Sequence, residues 1–137
     1  MVTISGQFQH TIKSKINFEG IGLHTGINCK LILHPAPIDF GIQFFINDTI
    51  ISADIDNVVS TFRGTNLSNN RISIITVEHL LSALYALEID NIKIELSSNE
   101  LPILDGTSNI YLKNIINVGI KTQKKKRKEF VVDKFIS

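Results

Sequence analysis

The sequence holds a single cysteine, Cys29, no tryptophan and only three prolines. One cysteine excludes an intramolecular disulfide and any cysteine-cluster metal site, and it fits a reducing, cytoplasmic location. Neither sign of charge is in excess: 14 basic and 13 acidic side chains leave a net charge of +1. The whole chain therefore carries no bulk signature of nucleic-acid binding. No apolar run approaches the roughly 18 residues of a membrane span, and residues 1–10 lack the apolar core of a secretory leader. Stable membrane insertion is not expected. What is present is a chain of 137 residues, 43% hydrophobic and 20% charged, long enough for one domain with a core of its own.

The richest stretch is Ile74-Ile75-Thr76-Val77-Glu78-His79-Leu80-Leu81-Ser82-Ala83-Leu84-Tyr85-Ala86-Leu87. Val77, Leu80, Leu81, Leu84 and Leu87 recur at helical spacing and form an apolar stripe. Thr76 suits the N-cap, where a hydroxyl accepts from a free backbone N–H. Ser82, Ala83 and Ala86 lie mostly to the sides of the stripe, leaving room for a neighbouring element. Glu78 and His79 fall in the first turn. The positive end of the helix dipole favours Glu78 as carboxylate and His79 as neutral imidazole, the form that binds metal. A carboxylate beside a metal-binding imidazole suits a zinc-activated water with its base. By itself the pair also fits a cap or a surface position.

Around this stretch the pattern alternates between strands and turns. Residues 1–10 are polar and read as a frayed terminus. Thr11 to Glu19 places Ile12, Ile16 and Phe18 on one side of a strand. The loop Gly20-Ile21-Gly22-Leu23-His24-Thr25-Gly26 follows, with glycines that permit close backbone approach. Its His24 either serves a site or bonds within its own loop. Ile27 to Leu33 reads as a second strand ended by Pro35, Phe40 to Ile46 as a third and Thr49 to Ala53 as a fourth. His34 reads as a strand-end surface residue. Residues 54–70 are less regular, with short strands near Val58-Val59 and Thr65–Leu67. After the helix, Ile92, Ile94 and Leu96 alternate with Lys93 and Glu95 as a half-buried strand. Asp105-Gly106 is a turn in which Asp105 fixes the bend. A second helix runs over about 107–118, with Ile110, Tyr111, Ile115 and Val118 on one face and Gly119 as its stop. Lys121–Lys128 is strongly basic and reads as a solvated linker rather than a phosphate site. Phe130–Ile136 reads as a final strand.

Four motifs in one order now stand together: Gly20–Gly26, Thr76–Leu84, Ile89-Asp90-Asn91-Ile92 and Asn99-Glu100-Leu101-Pro102-Ile103-Leu104-Asp105-Gly106-Thr107. In this they closely resemble the zinc-dependent UDP-3-O-acyl-N-acetylglucosamine deacetylases, which carry out the committed step of lipid A biosynthesis. The resemblance runs from about His10 onward and covers the N-terminal half of that enzyme. It implies an α+β fold in two layers: a sheet of about five main strands, two helices on one face and a small inserted sheet around 54–70. It implies an amide hydrolysis in which His79 is one zinc ligand and Glu78 the catalytic general base. It places Phe62, Arg63, Gly64 and His24 near the substrate, although the family commonly carries apolar or small residues where Arg63 stands. A surface loop with a solvated Arg63 is the alternative.

In the family, the remaining ligands, a histidine and an aspartate four residues apart, belong to the C-terminal half. So do a threonine, a lysine and a second histidine. His10, His24 and His34 do not map onto any of them. The resemblance therefore divides the chain into an N-terminal deacetylase domain, 1–119, and a segment 120–137 holding the basic linker and the first strand of a C-terminal domain. The expected cofactor is zinc, the expected substrate UDP-3-O-acyl-N-acetylglucosamine. The expected partner is a C-terminal half or a second copy docked on the helical face, and the chain alone is expected to be inactive. Two alternatives are a half-enzyme completed by a separate chain and a non-catalytic dimerising module.

Overall fold

The computed structural model describes residues 2–54, 58–60, 66–68 and 72–130. Its main sheet has five strands in the order β2-β3-β9-β4-β5. These are β2 (Ile16–Ile21), β3 (Asn28–Pro35), β4 (Ile42–Ile46), β5 (Thr49–Ser52) and β9 (Ile92–Leu96). All neighbours are antiparallel except β4 and β9, which run parallel. Alternation decides which face is buried. Cys29, Leu31 and Leu33 of β3, Phe44 and Ile46 of β4 and Ile92, Ile94 and Leu96 of β9 all turn inward, as period-2 side-chain geometry requires.

The helices α1 (Glu78–Ala86) and α2 (Asn109–Val118) cover that face. Leu80, Leu84, Tyr111 and Ile115 join the inward strand residues in one core cluster. The chain is thus a two-layer α+β unit, and the expected fold class holds. A small sheet of β6 (Val58–Ser60), β7 (Asn66–Ser68) and β8 (Ser73–Ile74) forms the insert ahead of α1. On α1, Ala83 is fully buried rather than lateral. Tyr85 and Ile116 are instead 86% and 60% exposed. The second helix stops where expected: Gly119 takes φ 101° and donates its N–H to Ile115 O at 2.9 Å.

Several expectations are corrected. Residues 2–10 are not frayed, since β1 (Val2–Ile12) pairs antiparallel with β10 (Ile120–Phe130). The predicted strand 11–19 breaks at residues 13–15, so Ile12 ends β1 and Ile16 opens β2. The basic run 121–128 lies within a strand rather than in irregular solvated chain. The reason is that alternate side chains have partners in the main unit. Gln123 donates to Ala36 O at 2.8 Å, Lys125 pairs with Asp39, and Arg127 Nε meets Asp90 Oδ1 at 2.8 Å. Lys124, Lys126 and Lys128 face solvent.

Asn91 fastens this ribbon to the sheet. Its side chain donates to Gln9 Oε1 and Gln123 Oε1 and accepts from Gly41 N–H, all within 2.9 Å. A buried polar group needs such partners, and Asn91 is 2% exposed. Of the predicted final strand, only Phe130 lies within the described residues.

Candidate active site

The start of α1 is built differently from a capped helix. Thr76 adopts φ 62°, a left-handed conformation rare for a β-branched residue. The residue before the helix is Val77, with no side-chain cap hydrogen bond. The expected N-cap role of Thr76 is therefore wrong: its hydroxyl donates instead to Glu100 Oε2 at 2.8 Å. The left-handed turn ends the extended run of residues 73–75 and lets the helix begin at Glu78. Val77 is packed inside, while Glu78 and His79 stay at the surface edge. Their side chains are 36% and 30% exposed, with Glu78 Oε1 3.9 Å from His79 Nε2. Glu78 in the first turn sits favourably toward the helix dipole.

A second segment is tied to this one. The loop 22–26 closes on itself through Gly22 N–H to Ile27 O and Gly26 N–H to Gly22 O, both 3.0 Å. The next tie is Glu100, which is 0% exposed. Its carboxylate accepts from His24 N–H at 3.0 Å, Thr25 N–H at 2.8 Å and the Thr25 hydroxyl at 2.9 Å, besides Thr76. Burial pushes this carboxyl upward. The bonds from Thr25 N–H, Thr76, His24 N–H and the Thr25 hydroxyl outweigh it and hold Glu100 below the ordinary carboxylate range.

The backbone follows the same path. Ile75 N–H donates to Asn99 O at 2.9 Å, and Ile103 N–H donates to Ile21 O at 3.0 Å. Segment 99–103 thus lies between the glycine loop and the entry to α1. Pro102 approaches Gly20 closely enough that a Cβ there would meet Pro102 Cβ at 3.1 Å. Tyr111 of α2 anchors the segment from beneath, donating its hydroxyl to Pro102 O at 3.1 Å.

The structure therefore brings Glu78 and His79 together and ties the His24 loop to their approach through one carboxylate. Phe62, Arg63 and Gly64 lie outside the described residues. His34 pairs with Glu95 at 2.9 Å on the outer face of the sheet, in agreement with a surface role. Asp105 accepts from Thr107 N–H at 3.0 Å and fixes its turn as expected. Glu100 was given no role by sequence reasoning, because its partners stand 24 and about 75 positions away. A lone acid opening an otherwise apolar run was the one available signal.

Among the described residues, no group of three or more His, Cys, Asp or Glu side chains is arranged to hold a metal ion. His79 is one half-buried donor, with Glu78 beside it. These residues do not fit a complete zinc site on their own. Clefts of about 530 Å³ and 470 Å³ lie beside Arg127, and neither is lined by Glu78 or His79.

Comparison with known proteins gives the family of the chain. The family model described as UDP-3-O-acyl N-acetylglycosamine deacetylase (LpxC) matches residues 9–137. A bifunctional enzyme LpxC/FabZ of Chlorobaculum tepidum is 42% identical over 132 residues, covering 93% of this chain and 28% of that protein. The UDP-3-O-acyl-N-acetylglucosamine deacetylase of Geotalea uraniireducens is 41% identical over 131 residues, covering 93% of this chain and 43% of that protein. The corresponding protein of Aquifex aeolicus is 46% identical over 113 residues, covering 80% of this chain and 40% of that protein. The chain spans less than half the length of each of these relatives. With a family model matched from residue 9 to residue 137, the chain belongs to the UDP-3-O-acyl-N-acetylglucosamine deacetylase family.

Proposed function

We propose that this chain supplies the N-terminal part of a zinc-dependent amidase. That enzyme removes the acetyl group from UDP-3-O-acyl-N-acetylglucosamine in the cytoplasm, as a step of lipid A biosynthesis. The observation that carries the reading is the half-buried Glu78–His79 pair at the start of α1, within a chain of this family. Glu78 is the general base. Its carboxylate takes a proton from water as the water oxygen bonds to the acetamide carbon. It returns that proton to the amine nitrogen as the C–N bond breaks, leaving acetate and a free amine. His79 is a zinc ligand. A catalytic zinc ordinarily takes about three protein ligands, and the described residues do not assemble that number. The remaining ligands are therefore assigned to a C-terminal half. His24, Phe62, Arg63 and Gly64 are proposed to contact substrate.

Residues 1–119 form the proposed N-terminal domain, and 120–137 lead toward the next. The pairing of β10 with β1 makes the first part of that connection a strand of this unit. The exposed Tyr85 and Ile116 favour a cover on the helical face, supplied by the C-terminal half or by a second copy. That same exposure is what favours the second reading, a non-catalytic dimerising module. No helix among the described residues is long and apolar enough to cross a membrane.

A zinc-dependent deacetylase assay, with and without a supplied C-terminal half, tests the proposal. Turnover is expected only in the completed enzyme. There Glu78→Ala should keep zinc and lose at least about a hundredfold in kcat, the scale of a general base. Near-normal turnover with full zinc occupancy would refute the role of Glu78. A tight one-to-one zinc site on the chain alone, lost in His79→Ala, would refute the shared site.

A further inference from the structure

Glu100 is the most deeply buried carboxylate near the site, and the reaction proposed above makes no use of it. Its surroundings are specific. Four donors converge on its two oxygens: His24 N–H, Thr25 N–H, the Thr25 hydroxyl and the Thr76 hydroxyl. They come from segments far apart in sequence, so the carboxylate is a tie between them rather than part of either. One of the four is held in a costly conformation. Thr76 stands at φ 62°, and a β-branched residue persists in that region only when its surroundings hold it there. The Thr76 hydroxyl donates to Glu100 Oε2 at 2.8 Å. Thr76 is two residues before Glu78, so its dihedral angles set the direction in which α1 leaves the insert and presents Glu78 and His79. The glycine loop must also come close: a Cβ at Gly22 would lie 2.2 Å from Glu100 Oε1.

We propose that Glu100 is a positioning residue for the Glu78–His79 pair. Its carboxylate locks Thr76 in the left-handed turn and docks the His24–Thr25 backbone on the same two oxygens, so the loop and the helix start form one rigid unit. This deepens the deacetylase reading and rests on it for the meaning of the pair. The lock itself is a property of this chain and is measured without turnover.

The experiment is nuclear magnetic resonance on the full chain at fixed pH, reading two signals. One is the strong intraresidue amide-to-Hα Overhauser effect that marks a left-handed Thr76. The other is the set of His79 ring resonances, with His34 as an internal reference on the far side of the sheet. In Glu100→Gln the acceptor capacity falls and an amide faces the loop's donors. The Thr76 signature should be lost and the His79 ring signals should move, while those of His34 stay. A merely stabilising carboxylate would respond differently to a second change. Glycine adopts positive φ without help, so Thr76→Gly placed in the Glu100→Gln chain should return the His79 ring signals toward their original positions, although the charge is still missing.

A folded Glu100→Gln chain that keeps both signals overturns the proposal, as does a shift of His79 that Thr76→Gly fails to reverse. Should Glu100→Gln not fold, Thr76→Val decides by the same two signals. It removes only the hydroxyl arm, and unchanged signals there overturn the proposal as well. A deacetylase reading that failed for lack of turnover would leave these signals untouched.

Discussion

Replacing Gly22 by alanine tests the tie at Glu100 from the other side. Gly22 is not among the positive-φ glycines, so alanine is conformationally permitted there and the cost is one of space. The added Cβ would lie 2.2 Å from Glu100 Oε1, 2.7 Å from its Cδ and 2.8 Å from Thr25 Oγ1. The far end of a flexible side chain would ordinarily swing away. Glu100 is fully buried and held by four donors, so it moves only by giving up partners.

Oε1 accepts from His24 N–H, Thr25 N–H and the Thr25 hydroxyl. Hydrogen bonds to a charged group contribute about 1.5–3 kcal/mol each. Losing one outright and weakening another gives an expected destabilisation of about 2–4 kcal/mol. Urea unfolding followed by circular dichroism reads this as a lower midpoint at unchanged slope. Gly6→Ala is the control, because a Cβ there meets nothing within 4 Å, and its expected change is below about 0.5 kcal/mol. A Gly22→Ala midpoint that matches the Gly6→Ala midpoint would refute the argument that this loop is packed on a pinned carboxylate.

Three further outcomes follow from the same structure. Tyr111→Phe keeps the edge contact with Phe18, at 4.9 Å between ring centroids, but leaves Pro102 O without its donor. It should cost about 1–3 kcal/mol in the same unfolding assay, and a neutral result would mean that water replaces the hydroxyl. Asn91→Ala strips partners from Gly41 N–H, Gln9 and Gln123. It should cost about 3 kcal/mol or more, and amide exchange should rise first in β1 and β10. Uniform exchange across the chain would count against a local anchor. Finally, Glu100 has a folded pKa below its ordinary 4.5. Its contribution to stability is fully present above that value and is lost as the pH falls through the lowered folded one. Asp39 and Asp105 are lowered too, so the test is a difference: Glu100→Gln should narrow its stability gap to the parent chain as the pH drops from 5 toward 3, and a constant gap would disprove the linkage.

Much of the fold was legible because it rests on local periodicity. Alternation along Cys29–Leu33 and Ile92–Leu96 marked strands buried on one face, and the spacing of Leu80, Leu84 and Leu87 marked a helix, since side-chain direction repeats at 2 or 3.6 residues whatever the partner. The position of Glu78 and His79 in the first turn of α1 was legible too, because the apolar stripe that follows them fixes where the helix runs. The rest depended on contacts between distant segments. Residues 2–10 and 121–128 look unstructured in isolation, being polar or basic, and become strands only because each supplies the other's ladder and because Gln123, Lys125 and Arg127 find partners on the main unit. Thr76 looks like a helix cap by residue type. The tertiary structure gives its hydroxyl a buried carboxylate instead, and a charged acceptor in a dry interior binds a donor more strongly than a solvent-exposed cap does. Composition and spacing thus determined the layers and the place of Glu78 and His79 at the start of α1. Only the folded chain decided that Glu100 would join that helix start to the glycine loop, since a buried charge is tolerated where donors from several segments converge on it, and that convergence exists only in three dimensions.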